Sequence, residues 1–225
     1  MARKLITEYD ISEAAKKGLK SLALQPGTIV TPSARDAANL LRIDLVEGRD
    51  VIPETAKGTQ GVTVHGPLDK RLPQAATVIA LGSDHGGFGL KKAVREFVLE
   101  LGYTVFDVGT ESEQPCDYPD FAYAVASMVT SGQAKSGIMI DAVGVASAMV
   151  ANKVPGIRAA ACSSEFAARS SREHNDANVL TLGGGVIGSE VAKSIVKTWL
   201  ETWFGGGRHQ SRVQKITEIE KKFSR

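Results

Sequence analysis

The sequence has few cysteines, no excess of charge of one sign and no long apolar run. Its two cysteines, Cys116 and Cys162, lie far apart, so they form neither a metal-binding spacing nor a disulfide framework. The net charge of +2 gives no reason to expect nucleic acid or a membrane surface as a partner. No apolar run reaches the length of a membrane span, and the first residues lack the apolar stretch of a secretion signal. We therefore expect a cytoplasmic protein.

The composition allows one domain with an appendage, since 43% of the 225 residues are hydrophobic. Two short helices are predicted near the start, the first after Thr7 as N-cap and the second after Thr31, whose hydroxyl precedes a proline. Residues 1–46 are therefore interpreted as a helical appendage. Residues 47–75 have no lasting period and read as a linker, with one short strand proposed at Gly61–Val64. No internal repeat is visible.

From residue 76 to residue 225 the pattern alternates between strands and helices. The predicted strands are Thr77–Leu81, Thr104–Val108, Gly137–Asp141, Arg158–Cys162 and Val179–Leu182, and a charged last helix is predicted over Gln210–Lys222. This alternation predicts an α/β fold, a Rossmann-like three-layer sandwich with a five-stranded parallel sheet. Ligands of such sheets bind beyond the carboxyl ends of the strands. Those ends place four segments at the candidate site: Ser83–Gly87, Gly109–Pro119, Asp141–Ser147 and Gly183–Gly188.

Three segments have side chains suited to chemistry, and each also has a structural explanation. Asp84 and His85 follow the first strand of this region and suit a small polar ligand, or else cap a helix and face solvent. His174 precedes the last strand, and we expect His174 to lie near the same rim. Histidine suits proton transfer at neutral pH. Arg208 and Arg212 are four residues apart and could hold a phosphate, or simply form a solvated basic face.

In this order, the motifs resemble those of the ribose-5-phosphate isomerase B and galactose-6-phosphate isomerase family. The resemblance covers roughly residues 76 to 220. It is carried by the stretches Gly82-Ser83-Asp84-His85-Gly86-Gly87-Phe88, Asp107-Val108-Gly109-Thr110, Asp117-Tyr118-Pro119-Asp120, Ala151-Asn152-Lys153, Gly156-Ile157-Arg158, Arg172-Glu173-His174-Asn175-Asp176-Ala177-Asn178-Val179 and Gly206-Gly207-Arg208-His209-Gln210.

The resemblance implies aldose–ketose interconversion of a phosphorylated sugar through an enediolate, without metal or organic cofactor. It implies that His174 opens the sugar ring and that Asn175 steadies the enediolate. The implied substrate-binding residues are Asp84, His85, Tyr118, Gly144, Asn175, Arg208, His209 and Arg212, with the two arginines on the phosphate. It also implies a homodimer or homotetramer in which two subunits share each site.

The loop after the third strand departs from the family pattern. The family's ribose-5-phosphate isomerases have Cys-Gly-Thr-Gly-x-Gly there, and their base is the cysteine or a glutamate six positions later. Here those two positions are Asp141 and Ser147, and only Gly144 remains of the glycines. The loop is similar to that of the A subunit of galactose-6-phosphate isomerase, whose cysteine belongs to the other subunit type. In addition, Gly185 replaces a family arginine, which removes one phosphate contact.

Two roles therefore remain open for Asp141, which is the candidate base. It could act as a base if Val143, Val145 and Met149 desolvated it and few N–H groups donated to it, or it could cap the following helix. In the second case the chain would be a catalytically impaired partner or scaffold subunit, working with a cysteine-bearing paralogue.

The appendage has a resemblance of its own. Leu5-Ile6-Thr7-Glu8 and Ile29-Val30-Thr31-Pro32-Ser33-Ala34-Arg35-Asp36 are similar to segments of ethanolamine-utilisation and related bacterial microcompartment proteins. This similarity implies a cargo or assembly role inside a microcompartment. A soluble helical hairpin without such a role is the alternative.

Overall fold

The computed structural model describes residues 5–25, 28–47 and 77–223. The chain forms two compact units, Met1–Pro67 and Leu68–Arg225. Apart from Glu47, the predicted linker at 47–75 and its strand at Gly61–Val64 lie outside the described residues. Within the described ranges, no helix is both long enough and apolar enough to cross a bilayer.

In the ranges that the structure describes, the first unit has two helices and four short strands. Its elements are β1 Leu5–Ile6, α1 Glu8–Lys16, β2 Ser21–Leu24, β3 Ile29–Val30, α2 Pro32–Leu41 and β4 Asp44–Glu47. Both predicted helix starts are confirmed: the Thr31 hydroxyl accepts from the amide of Ala34 at 3.2 Å, and the Asp10 carboxylate accepts from the Thr7 amide at 2.9 Å. Buried apolar side chains from both helices form a small core of the unit's own.

Two predictions about this segment are wrong. The appendage is not purely helical, because β1 pairs with β3 and β2 pairs with β4, both in parallel. These strands have two to four residues, too few for an alternating pattern to stand out in the sequence. The segment also contains an internal repeat, since the order strand–helix–strand occurs twice and like elements lie side by side. Its two copies share little sequence, which hid the repeat.

The second unit confirms the predicted α/β fold. Its strands are β5 Val78–Ser83, β6 Thr104–Asp107, β7 Ser136–Asp141, β8 Ala159–Ala161 and β9 Val179–Gly183, all parallel in the order β6-β5-β7-β9-β8. Its helices are α3 Phe88–Glu100, α4 Tyr118–Thr130, α5 Val145–Ala151, α6 Glu165–Asn175, α7 Ser189–Glu201 and α8 Gln210–Phe223.

Helices cover both faces of this sheet. On one face, alternate strand residues such as Ile79, Ile138 and Leu180 share a core with α3, α6 and α7. On the other face α4 packs so closely that a Cβ at Gly82 or Gly137 would lie 2.7 Å or 2.4 Å from the Val125 side chain. The glycines therefore let α4 approach the sheet. The result is three layers, with the carboxyl ends of the central strands β5, β7 and β9 adjacent.

A buried ion pair fixes the loop after β6. The Lys91 ammonium on α3 donates to the Asp107 carboxylate and to the carbonyl of Thr110, each at 2.8 Å, and the Lys91 side chain is only 6% exposed. The Asp107 carboxylate also accepts from the Gly109 amide at 2.9 Å. Because Gly109–Pro119 follows directly, this pair anchors one side of the candidate site.

Removing the Lys91 charge is expected to destabilise the second unit. Lys91→Met keeps most of the apolar stem but removes one charged donor from the Asp107 carboxylate and one from the Thr110 carbonyl, which should cost about 2–3 kcal/mol of unfolding free energy. Urea unfolding followed by tryptophan fluorescence measures the change. Lys92→Met is the matched control, because Lys92 is exposed and only lies over the Phe88 ring, a contact worth about 1 kcal/mol or less. If the two substitutions lowered the unfolding free energy equally, the Lys91 ion pair would not stabilise the second unit.

Candidate active site

Asp84 lies buried at the carboxyl end of β5. Its carboxylate accepts a hydrogen bond from the Gly87 amide at 3.0 Å, which closes the turn into α3. Burial raises the pKa of Asp84, and the negative charge of Asp141 on the neighbouring strand adds to the rise. Because Ser83 pairs with Ile140 and the Asp84 amide donates to the Ile140 carbonyl at 3.3 Å, Asp84 and Asp141 lie near one another at the rim of the sheet, as the strand-end rule predicted.

His85 is exposed beside the loop that precedes α4. Its Nδ1 lies 3.2 Å from the amide nitrogen and 3.1 Å from the carbonyl oxygen of Cys116. With its proton on Nε2 the ring accepts from that amide, and with a proton on Nδ1 it donates to that carbonyl, so Cys116 holds the ring in either form. Tyr118 begins α4 two residues later, which brings it to the same rim.

Asp141 ends β7 with both carboxylate oxygens occupied. One oxygen accepts from the amides of Val143, at 2.7 Å, and Gly144; the other accepts from the Ser147 amide at 3.0 Å and from the Ser147 hydroxyl. The side chains of Asp141 and Ser147 are thus joined by a hydrogen bond. Donors at the start of α5 are satisfied as in a capped helix, which supports the capping role that the sequence left open.

The loop after Asp141 leaves its amides committed and its apolar side chains exposed. Gly144 has φ of +87°, and its amide donates to Asp141. Asp141 is buried, but not under the neighbours that the sequence suggested: Val143, Val145 and Met149 are 58%, 46% and 62% exposed. Such a group of apolar side chains on a rim is typical of a surface that another molecule covers.

Gly87 is required where the turn after β5 passes under β7. A Cβ there would lie 2.1 Å from the carbonyl oxygen of Ile140, whereas a Cβ at Gly89 meets nothing within 4 Å. We expect Gly87→Ala to lower the unfolding free energy by about 2–4 kcal/mol through this backbone clash. Gly89→Ala, in the first turn of α3, should raise it by about 0.5 kcal/mol. Thermal unfolding of the pair measures both, and equal midpoints would contradict the clash.

A second cluster surrounds His174 in the last turn of α6. The rings of His174 and His209 stack with centroids 4.4 Å apart, and His174 Nδ1 lies 3.1 Å from the Ser170 hydroxyl. Partial burial lowers the pKa of His209, and the positive groups of His174, Arg208 and Arg212 act in the same direction. A bound anion would oppose that positive potential, so the cluster suits a phosphate.

The turn before α8 brings the arginines to this cluster. Arg208 lies in a short 3-10 turn, Gly207–His209, and Arg212 lies in the first turn of α8; both are exposed. The turn is attached to the end of α6, because the Gly205 amide donates to the Glu173 carbonyl at 2.8 Å. His174, His209, Arg208 and Arg212 are therefore brought together by the fold, with Asn175 adjacent on α6.

The two clusters lie at opposite ends of the strands, one at the carboxyl ends and the other at the amino ends. This finding corrects the predicted position of His174. Because α6 connects the parallel strands β8 and β9, its carboxyl end meets the amino end of β9. Asp84, His85 and Asp141 lie at the carboxyl ends instead. The sequence showed that His174 is close to a strand but not to which end. One chain therefore does not bring all the predicted site residues together.

Sequence reasoning missed several residues that support the site. Arg172 is buried, lies 5.0 Å from the Trp199 ring centre and donates to the Ala177 carbonyl, so it fixes the bend after α6. Arg158 pairs with Asp176 at 2.8 Å at the same bend. In the sequence, Arg172 and Arg158 could have been found as the only arginine of the two family-like stretches in which they lie. Within the described ranges, no group of three or more His, Cys, Asp or Glu side chains is arranged to hold a metal ion.

The second unit of this chain is similar to known proteins. The Ribose/Galactose Isomerase family model matches residues 79–216. The chain is 47% identical over 144 residues to ribose-5-phosphate isomerase B of Escherichia coli (strain K12), covering 64% of this chain and 97% of that protein. It is 39% identical over 141 residues to galactose-6-phosphate isomerase subunit LacA of Lactococcus lactis subsp. lactis, covering 63% and 98%.

A solved structure gives the same result. Ribose-5-phosphate isomerase B of Clostridium thermocellum is 52% identical to this chain, with a TM-score of 0.65, and the match covers 66% of this chain and 100% of that one. A single unit of this fold thus accounts for the whole of that relative.

Proposed function

Since the chain belongs to the Ribose/Galactose Isomerase family, we propose that it interconverts the aldose and ketose forms of a phosphorylated sugar. The observation that carries this proposal is the pair of complementary clusters. Buried carboxyl groups lie at one edge of the sheet, and stacked histidines with two arginines lie at the other. The first suits proton transfer at a sugar, and the second suits a phosphate.

The chemistry needs a base beside the sugar and a cation at its phosphate. In the proposed reaction His174 assists ring opening, and a base removes the proton from the carbon next to the carbonyl. The electron pair of that C–H bond forms the C=C bond of the enediolate, which Asn175 steadies. The hydroxyl proton then moves from one enediolate oxygen to the other, and the proton taken from carbon returns to the neighbouring carbon. Asp141 is the candidate base. Arg208 and Arg212 hold the phosphate through charge-assisted hydrogen bonds.

Two copies of the chain are needed to assemble such a site. One copy supplies Asp84, His85 and Asp141, and the other supplies the cluster around His174. The separation of these groups in one chain supports a homodimer, or a homotetramer built from such dimers. The second copy would cover the exposed side chains of Val143, Val145 and Met149 and would thereby exclude water from the site.

A second candidate function is a partner subunit without its own base. It is favoured by the Asp141 carboxylate, which is already engaged with Val143, Gly144 and Ser147. The amides of Val143, Gly144 and Ser147 are thus directed at the chain's own carboxylate and not at a ligand. In that case a paralogue carrying the cysteine would supply the base. The similarity to a galactose-6-phosphate isomerase subunit is in keeping with this alternative.

A substrate panel separates the two candidates. Purified protein should be assayed with four-, five- and six-carbon sugar phosphates, alone and with any cysteine-bearing paralogue from the same source. Turnover by the chain alone supports the isomerase, and turnover only in the mixture supports the partner subunit. No turnover in either arm would contradict both. The panel also identifies the sugar, whose length depends on the pocket between the two copies.

The location in the cell also remains a proposal. We place the protein in the cytoplasm, inside a bacterial microcompartment where one is present, with the first unit as the part that directs it there. Fluorescent fusions of the full chain and of a chain starting at residue 68 test this assignment. Equal distributions of the two fusions in cells that form microcompartments would contradict it.

A further inference from the structure

The first unit is a stack of two repeats related by a translation. Repeat 1 (residues 5–24) and repeat 2 (residues 29–47) pair their strands in parallel, with Ile6 opposite Val30 and Leu22 opposite Leu45. A shift of about 24 residues also relates the helix ends, where Gly18 and Arg42 have φ of +70° and +53°. Parallel neighbours in both sheets mean that repeat 2 lies beside repeat 1 in the same orientation, as in a solenoid.

The two helices bury different faces, as stacking requires. On α2 the buried residues are Ala34, Ala37 and Ala38, which share the core with Ile11 of α1. The residues 24 positions earlier on α1 are Asp10, Glu13 and Ala14. Together with Ile6, Lys17, Leu19 and Leu22, these line an open groove of about 310 Å³. The groove on repeat 1 is therefore the counterpart of the face through which repeat 2 packs on repeat 1.

The outer face of repeat 2 carries the matching charge. The position equivalent to the fully buried Ile11 is Arg35, and it is exposed. Within the chain, the Ile11 position faces the alanines of α2. Between two copies stacked in the same way, Arg35 would face Asp10, which caps α1, and Glu13, which pairs with the exposed Lys16 at 2.9 Å; Lys17 lines the same groove. Polar residues at the ends of a repeat stack normally serve as caps, but caps need not have opposite signs at positions that would meet.

We propose that the groove on repeat 1 binds the outer face of repeat 2 from a second copy of this chain. The contact is head to tail, with Arg35 of one copy between Asp10 and Glu13 of the next. Such an interface does not close on itself, so it links copies into a ring or a chain. The first unit is thus an assembly surface that is independent of the isomerase reaction.

Sedimentation of the full chain at low ionic strength tests this proposal, since salt screens exposed charges. The comparison is a chain starting at residue 68, whose independent folding is supported by the relative that it covers completely. The full chain should form larger assemblies that grow with concentration and contain more subunits than the shortened chain. The same number of subunits in both, at every concentration, would overturn the proposal.

Charge reversal identifies the contact. Arg35→Glu and Glu13→Arg should each abolish the larger assemblies, and mixing the two proteins should restore them, because both alternating contacts then join opposite charges. Asp36→Lys, one residue from Arg35 on a different side of α2, should change nothing. All variants should keep wild-type turnover. If a mixture of folded variants stays small, or if Asp36→Lys acts like Arg35→Glu, the proposed interface is wrong.

Discussion

Two inactive variants, His85→Ala and His174→Ala, are expected to regain activity when they share an oligomer. His174→Ala should lose at least about a hundredfold in turnover, the usual effect of removing a proton-transfer group, and His85→Ala should lose most of its turnover because that side chain lines the proposed sugar site. Because the two residues lie at opposite edges of one sheet, a dimer containing one copy of each variant has one undamaged site. After unfolding and refolding together, half of the dimers are mixed, so about a quarter of wild-type turnover should return.

The control for this experiment uses two changes at the same edge. His174 and Arg208 belong to one cluster, so a mixed dimer of His174→Ala and Arg208→Ala has a damaged cluster in both sites. This mixture should show no recovery. Recovery in both mixtures would mean that the regained activity does not come from sites shared between two copies. Recovery in neither mixture would mean that each copy contains its own complete site.

The fold of the second unit could be predicted because its elements are long or fully buried. The six residues of β7 are all buried, and α7 has five buried residues on one face, so the sequence pattern is strong. The first unit could not be predicted in the same way. A strand of two residues such as β1 has no period, and its parallel partner, β3, is more than twenty residues away.

The site could be predicted as a set of residues but not as an arrangement. The motifs around Asp84, His174 and Arg208 were found, yet the edge of the sheet on which His174 lies depends on the direction of α6. The state of Asp141 depends on which donors reach it, and that requires the turn through Gly144 with its positive φ. Sequence shows residue types, whereas hydrogen bonds follow from backbone direction.

Asp141→Asn is expected to change both stability and turnover, and the two effects separate its roles. A side-chain amide can accept hydrogen bonds at its oxygen only. The NH2 group of the asparagine would therefore face the amide N–H of Ser147, and two donors would meet. The loss should lower the unfolding free energy by about 1–2 kcal/mol, as for a lost helix cap. If Asp141 is also the base, turnover of the folded variant should fall at least about a hundredfold while sugar-phosphate binding is largely kept.

Ser147→Ala is the matched control for this substitution. It removes the hydroxyl donor to Asp141 but keeps the carboxylate and the Ser147 amide bond, so it should lower stability by about 1 kcal/mol and leave turnover within a few fold. Calorimetry gives the stability of both variants, and turnover is measured below their unfolding range. If Asp141→Asn loses stability but keeps turnover, as Ser147→Ala is expected to, then Asp141 is a cap and the base lies elsewhere. Because the chain would then turn over by itself without Asp141, that outcome would also count against the partner-subunit function, and the base would have to be another group near the same rim.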